Sequence, residues 1–199
     1  MKKGSEVQVH GCETLSQGFL TLKGYLISYP RFDGGQTPAV NREVLVRGQA
    51  VAALPYDPST DEILLIEQFR IGTFHAGANP WVIEVVAGMM DVAHETPEQA
   101  LHRELHEEAG IVNAQLQHIV DYFPSPGGSD EQILLYLARC DLSAHQTEQA
   151  FGLASETEDI QVHKLPRAQW RDWLAQGRLN NAATLLSLMW LDEQLVGRM

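Results

Sequence analysis

The stretch Ala87–Ile111, AGMMDVAHETPEQALHRELHEEAGI, decides how the rest of the chain is read: it is a loop running into a short helix. Thr96-Pro97-Glu98-Gln99 is a helix start, with a threonine to cap free N–H groups, a proline where no N–H is needed, and a glutamine placed to complete a capping box. Gly110 ends the helix. Between these signals Leu101, Leu105 and Ala109 recur every four residues and make the face that packs on a core. Glu104 and Glu108 share a stripe beside that face, with Glu107 on its edge. Like charges so spaced repel by roughly 0.2–0.5 kcal/mol per pair, and these glutamates sit in the C-terminal half, where the helix dipole disfavours anions. Helix stability does not account for them. Hard oxygen ligands on a rigid helix suit a divalent cation such as magnesium, which takes a few carboxylates and leaves its other positions to water and phosphate oxygens. Alternatively the carboxylates form a solvated acidic face, with Arg103 paired to Glu107.

The wider pattern separates these alternatives. Arg103-Glu104-Leu105-His106-Glu107-Glu108-Ala109-Gly110-Ile111, with Glu95 eight positions before Arg103 and Gly88 further upstream, resembles the signature of the Nudix hydrolases. Every element from Glu95 onward falls where that family has it. One departure stands out: six residues, not five, separate Gly88 from Glu95, so the loop carries a one-residue insertion and its path is open.

Composition bounds the remainder. With 199 residues and 44% apolar content the chain can bury a full core. Its formal net charge of -12 argues against nucleic acid or an anionic membrane as partner, since both bind through clustered Lys and Arg. Met1 to Gly11 has no apolar run of the kind a signal peptide needs, and no 18-residue apolar stretch occurs, so a cytoplasmic protein is expected. Cys12 and Cys140, the only cysteines, read as free thiols.

Residues 1–45 read as a separate, small β piece: a short strand over Glu6 to His10, another over Phe19 to Tyr29, then a run from Glu43 to Pro55. Three strands make little core alone, so this piece needs the main domain, residues 46–199, or a second subunit. Further strands are expected at Ile63 to Ile66, Trp81 to Val86, Leu116 to Phe123, Gln132 to Arg139 and Ile160 to Leu165. Gly72 to Pro80 and the acidic Ser143 to Glu158 read as loops. Helices over Arg167 to Gln176 and Ala182 to Leu195 close the chain, the latter with Leu185, Leu186, Met189 and Trp190 inward. Strands on both sides of one helix, then terminal helices, give an α/β sandwich with a mixed sheet. The Nudix resemblance implies the same α/β/α sandwich, here with the small N-terminal β subdomain.

Within that family the chain resembles the bacterial ADP-ribose pyrophosphatase branch. Pro126 lies sixteen positions after Gly110, and Ser125-Pro126-Gly127-Gly128 and Asn180-Asn181-Ala182-Ala183 are similar to segments of that branch. The resemblance implies magnesium-dependent cleavage of the pyrophosphate of ADP-ribose, with manganese as a possible substitute, in a homodimer that exchanges its N-terminal strands. It also implies roles residue by residue. Glu104, Glu108 and the backbone carbonyl of Ala87 match metal ligands, as does Glu158; Glu95 and Arg103 orient them, and Glu107 is a candidate for a second metal. Glu156 matches the base that activates water, with Glu107 as the alternative. Arg42, Arg47 and Arg70 resemble phosphate and ribose contacts, Phe19 the aromatic that stacks on adenine, Met89 a contact from the signature loop, and Ser125 and Glu131 contacts near the terminal ribose. Two other activities remain open: hydrolysis of another nucleotide sugar such as GDP-mannose, and a sensor that binds without cleaving.

His102 and His106 share a spacing that can hold zinc, but they point away from the Glu104 stripe and read as surface residues. Trp170, Trp173 and Trp190 read as core or dimer packing.

Overall fold

In the computed structural model residues 3–153 and 157–196 are described. They fall into two compact units, Met1–Gly48 with Phe123–Gln132, and Gln49–Tyr122 with Ile133–Met199.

The first unit holds an antiparallel sheet of β1 (Gln8–Gln17), β2 (Thr21–Ser28) and β3 (Val40–Val46), in that order. β1 runs well past the short strand expected at Glu6 to His10. All ten of its residues are exposed, so its sequence has no inward face to alternate against. Glu43 to Pro55, expected as one run, is two strands in two sheets: β3 ends at Val46, Gly48 turns the backbone at φ +79°, and β4 (Gln49–Asp57) begins in the second unit. In the first unit Leu45 also takes up the segment after Phe123, its N–H donating to the Gly128 carbonyl at 2.9 Å and its carbonyl accepting from the Asp130 N–H at 3.2 Å.

The second unit is built on a hairpin that opens. β4 and β5 (Glu62–Phe69) pair only next to their turn, at Tyr56 with Ile63 and Asp57 with Glu62. Beyond that point the strand from Trp81 enters between them. Its first part, β6 (Trp81–Glu84), pairs with β5, and its second, β7 (Val86–Met89), pairs with β4. Val85 is where the chain changes partner, and its buried N–H is taken by the Thr184 hydroxyl at 3.0 Å. Asn181 secures the same crossing. Its amide donates to the Ile83 carbonyl at 2.8 Å, while its side-chain oxygen accepts from the Thr184 N–H at 3.0 Å and so caps the last helix, Ala182–Val196.

The remaining strands are β8 (Gln115–Tyr122), β9 (Gln132–Arg139), the two-residue β10 (Ala150–Phe151) inside the acidic loop, and β11 (Ile160–Pro166). The sheet runs β10-β11-β5-β4-β9-β8, with β6 and β7 on β5 and β4. Gln132 donates to the Gly48 carbonyl and Cys140 to the Tyr56 carbonyl, a constant offset that makes β4 and β9 parallel in an otherwise antiparallel sheet. The sheet is therefore mixed. With one short helical turn numbered α1 (Ile71–His75) in the loop after β5, the helices are α2 (Pro97–Ala109), α3 (Trp170–Ala175) and α4 (Ala182–Val196).

Both faces of the sheet are covered. On one, Leu101, Leu105 and Ala109 of α2 pack with Val51, Ala53, Leu64, Ile66 and Val162. On the other, Trp170, Trp173, Leu188 and Leu191 pack with Leu54, Leu65 and Leu137. Leu101 and Leu105 are wholly buried, each contributing on the order of 1.5–3 kcal/mol. The buried stripe of α4 meets expectation in part: Leu185 and Trp190 pack against the core, as expected. Thr184, Ser187, Leu188, Leu191 and Asp192 face in, whereas Leu186 and Met189 are exposed, because the Thr184 bond to Val85 fixes the helix rotation. Trp170 and Trp173 are core residues, and Cys12 and Cys140 are unpaired thiols. Among the described residues no helix is long and apolar enough to cross a membrane.

Candidate active site

α2 is closed at both ends by the residues that predict it. Thr96 Oγ1 accepts from the Gln99 N–H at 3.3 Å and Gln99 Oε1 from the Thr96 N–H at 2.9 Å. At the other end Gly110, at φ +63°, donates to the His106 carbonyl and Ile111 to the Leu105 carbonyl, both at 2.9 Å. Two more terminal carbonyls are met from the acidic loop: Ala109 accepts from His145 Nε2 at 2.9 Å, and Glu107 from the Gly152 N–H at 3.3 Å. The helix is held rigidly over β7.

With the leucine face down, Glu104 and Glu108 are not on a solvated face at all. They are 8% and 2% exposed. Glu108 Oε2 accepts from the Ala87 N–H at 3.0 Å, tying the helix to β7. In an antiparallel ladder the N–H and C=O of one residue face the same side. Ala87, giving its N–H to Glu108, therefore turns its carbonyl away from β4 as well. The next residue, Gly88, leaves room for the Glu104 carboxylate.

Arg103 collects the other carboxylates. Its Nε and Nη2 donate to the two oxygens of Glu95, both at 3.2 Å, and its Nη1 donates to Glu104 at 2.7 Å and Glu107 at 3.1 Å. The pair with Glu107 is real, but it is one arm of a cation serving three carboxylates. The loop between Gly88 and Glu95 ends in a turn in which Glu95 donates to the Val92 carbonyl and His94 takes φ +68°, and Glu95 lies beside Arg103.

Burial pushes the Glu108 carboxyl up to about 8, reinforced by Glu104 and Glu158 and opposed by the Ala87 N–H and by Arg70. Burial also raises Glu104, against the pull of Arg103. With both carboxylates ionised the pair would carry more negative charge than the protein compensates. Among the described residues no three His, Cys, Asp or Glu side chains gather closely enough to form a metal cage. Two carboxylates and a carbonyl are hard oxygen donors of the kind that could hold a divalent cation while leaving its other positions to water. His102 and His106 lie exposed on the other side of the helix.

The other expected residues divide between the units. In the second unit, Glu158 accepts from the Leu153 N–H at 3.2 Å and closes the acidic loop; Glu156, the expected base, lies outside the described residues. Met89 ends β7, half-buried opposite Ala50. Arg70 is paired with Glu84. In the first unit, Arg47 and Glu131 pair with each other at 3.3 Å, and Ser125 begins the turn whose Gly128 and Ser129 N–H groups donate back to its carbonyl. Arg42 donates to the Tyr29 hydroxyl at 3.3 Å, and Phe19, at the β1–β2 turn, is 98% exposed.

Two further residues, Glu84 and Asp130, gain a role only from their partners in the structure. Glu84 interrupts the apolar run WVIEVV, and an acid inside a buried strand is a signal in itself. Asp130 Oδ1 accepts from the N–H groups of Arg47 and Gly48, at 2.6 and 3.2 Å, and shapes the turn between β3 and β4.

An acidic helix laid over a glycine-bearing strand in an α/β/α sandwich defines a Nudix protein, and residues 46–182 match the NUDIX domain. The chain belongs to that family. It is 39% identical over 189 residues to the ADP-ribose pyrophosphatase of Haemophilus influenzae, covering 94% of this chain and 86% of that protein. It is 37% identical to the Escherichia coli K12 protein of the same name, covering 94% and 88%. The GDP-mannose pyrophosphatase of Cronobacter sakazakii is 33% identical, covering 89% and 90%. A crystal structure of an ADP compounds hydrolase superposes with a TM-score of 0.73 at 19% identity, over 100% of this chain and 98% of that one, which establishes the shared fold.

Proposed function

We propose that the protein hydrolyses the pyrophosphate bond of ADP-ribose to AMP and ribose 5-phosphate, using magnesium, with manganese able to replace it, as a cytoplasmic homodimer. The observation that carries this reading is the buried Glu104–Glu108 pair set over Ala87 and Gly88 and braced by Arg103. The full-length similarity to ADP-ribose pyrophosphatases supports the substrate.

The reaction is attack by water on phosphorus, resisted by the negative charge of two phosphates. Glu104, Glu108, the Ala87 carbonyl and Glu158 would hold a divalent cation, which would supply charge neutralisation. Arg103 keeps the carboxylates in register, and its charge offsets their mutual repulsion. Arg70 adds positive charge beside Glu108 for a phosphate oxygen. Glu156 takes the proton of the attacking water. Phe19, Arg42, Arg47, Met89, Ser125 and Glu131 are assigned to the nucleotide and ribose on the family resemblance.

The test is product release from ADP-ribose, GDP-mannose, UDP-glucose and NAD at equal concentration, with magnesium and with chelator. Magnesium-dependent AMP from ADP-ribose, well above the others, is expected. Preference for GDP-mannose would keep the mechanism and replace the substrate. Binding of ADP-ribose without turnover would make the protein a sensor. Sedimentation at a single protomer mass would remove the dimer.

A further inference from the structure

The sheet face under α2 changes character at one end. Leu64 and Ile66 of β5 and Val86 of β7 lie in the apolar core beneath the helix. Successive strand residues alternate faces, so the next positions of β5 on that side are Gln68 and Arg70. Across the ladder Glu84 stands opposite Ile66, and Val82 opposite Gln68. Three polar side chains thus follow an apolar run, at the end where the same strand continues into Ala87 and Gly88.

Their arrangement is directional. Arg70 donates from Nε at 2.8 Å and from Nη2 at 2.5 Å to one oxygen of Glu84, Oε2. That grip takes one edge of the guanidinium; Nη1 has no partner among the described residues. The Arg70 side chain is 41% exposed while that of Glu84 is 16% exposed, so the carboxylate is the more sheltered partner and the guanidinium the more accessible one. The Arg70 backbone is fixed too, its N–H donating to the Pro80 carbonyl and its carbonyl accepting from Thr73 Oγ1, both at 2.8 Å. Gln68 provides a second unmet donor on the same face: its amide nitrogen is buried without a partner. An ordinary surface ion pair would leave both side chains mobile and contribute little.

We propose that Glu84 is a positioning residue, which grips the Nε–Nη2 edge of Arg70 so that the Nη1 edge is presented to a phosphate of the substrate. This rests on the reading of Arg70 as a phosphate contact. An arginine already ordered in the free protein loses less freedom when it binds, and its fork meets a phosphate in one geometry.

The test is a double-mutant cycle on magnesium-dependent ADP-ribose turnover, with thermal melts of each variant. Glu84→Gln is expected to lower kcat/KM by about tenfold to a hundredfold, and Glu84→Asp, which keeps the charge, to recover part of it even if the glutamine variant folds poorly. In the Arg70→Ala background Glu84→Gln should cost nothing further. The same loss with and without Arg70, or a kcat/KM unchanged by Glu84→Gln, overturns the proposal. A silent Arg70→Ala removes the phosphate reading of that arginine and the proposal with it, while turnover by the wild-type protein shows that the hydrolase reading stands.

Discussion

A β-carbon on Gly88 would lie 1.9 Å from Oε1 of Glu104 and 2.0 Å from its Cδ, so the carboxylate occupies the space that any side chain at residue 88 needs. The backbone there is ordinary strand, paired with Val51, and its φ does not call for glycine. The requirement is one of close approach. Gly88→Ala is therefore expected to displace the Glu104 carboxylate from its bond to Arg103, lowering magnesium-dependent turnover by about a hundredfold while costing on the order of 1–3 kcal/mol of stability. Steady-state kinetics and a urea melt check both; wild-type turnover would show that the Glu104 position is unimportant.

Glu108 makes stability depend on pH in a direction unusual for a carboxylate. Its ordinary value near 4.5 is raised to about 8 by burial, so between these limits the folded metal-free protein keeps a proton that the unfolded chain has released. The stabilising contribution is complete below the lower value and is lost as pH rises through the upper one, by up to about 1.4 kcal/mol per pH unit. The melting temperature of chelated protein should fall between pH 5 and pH 8.5. Added magnesium should flatten that fall, as should Glu108→Gln. A flat profile in chelator would mean that Glu108 is ionised and compensated by the protein itself.

How far the sequence could be read follows from where its signals were local. α2 was legible to the residue because cap, proline, apolar face and terminal glycine all lie within one short stretch. The acidic stripe was legible as chemistry, since three carboxylates against the helix dipole needed a reason other than helix stability. What escaped depended on distant partners. The break between β3 and β4 sits inside an unbroken β-rich run, and only the pairing of each half with a different sheet reveals it. On α4, counting apolar residues finds Leu185 and Trp190, which pack against the core, but it also favours Leu186 and Met189, which are exposed. The helix is turned by Thr184, a polar residue whose partner is 99 positions away. Glu84 likewise gains its meaning from a partner, Arg70 on the neighbouring strand.

The crossing at Val85 gives a stability prediction free of the catalytic chemistry. Thr184→Val keeps the shape of a wholly buried side chain but removes the hydroxyl that accepts the Val85 N–H. A buried N–H left unmet costs about 1–3 kcal/mol. Asn181→Ala removes both the helix cap and the donor to the Ile83 carbonyl, so its cost is expected to equal or exceed the roughly 1 kcal/mol of a lost cap. Denaturant titrations should show both losses with unchanged m-values. Turnover by the folded fraction should stay within a few fold, since neither side chain belongs to the acidic site. A Thr184→Val protein as stable as wild type would mean that Val85 finds another acceptor.

The division of labour between the helix and the acidic loop is separable by comparing Glu108→Gln with Glu156→Gln. Glu108 is buried against Ala87, so its amide variant keeps the packing but loses the charge that a divalent cation would meet. Magnesium-dependent turnover should vanish with the circular dichroism spectrum intact, and magnesium should no longer raise the melting temperature. Glu156, as the proposed base, should behave differently: losing general-base assistance lowers kcat by about 10²–10⁴-fold, with the magnesium-induced rise in melting temperature retained. Glu158, whose carboxylate closes the loop on the Leu153 N–H, distinguishes position from chemistry. If Glu158→Gln reproduces the Glu156→Gln defect in kcat and also weakens the response to magnesium, the loop acts through its ligand as well as its base. Normal kcat in Glu156→Gln would move the base to Glu107, the remaining glutamate of the signature helix whose side chain is partly open, and Glu107→Gln would then carry the kcat defect.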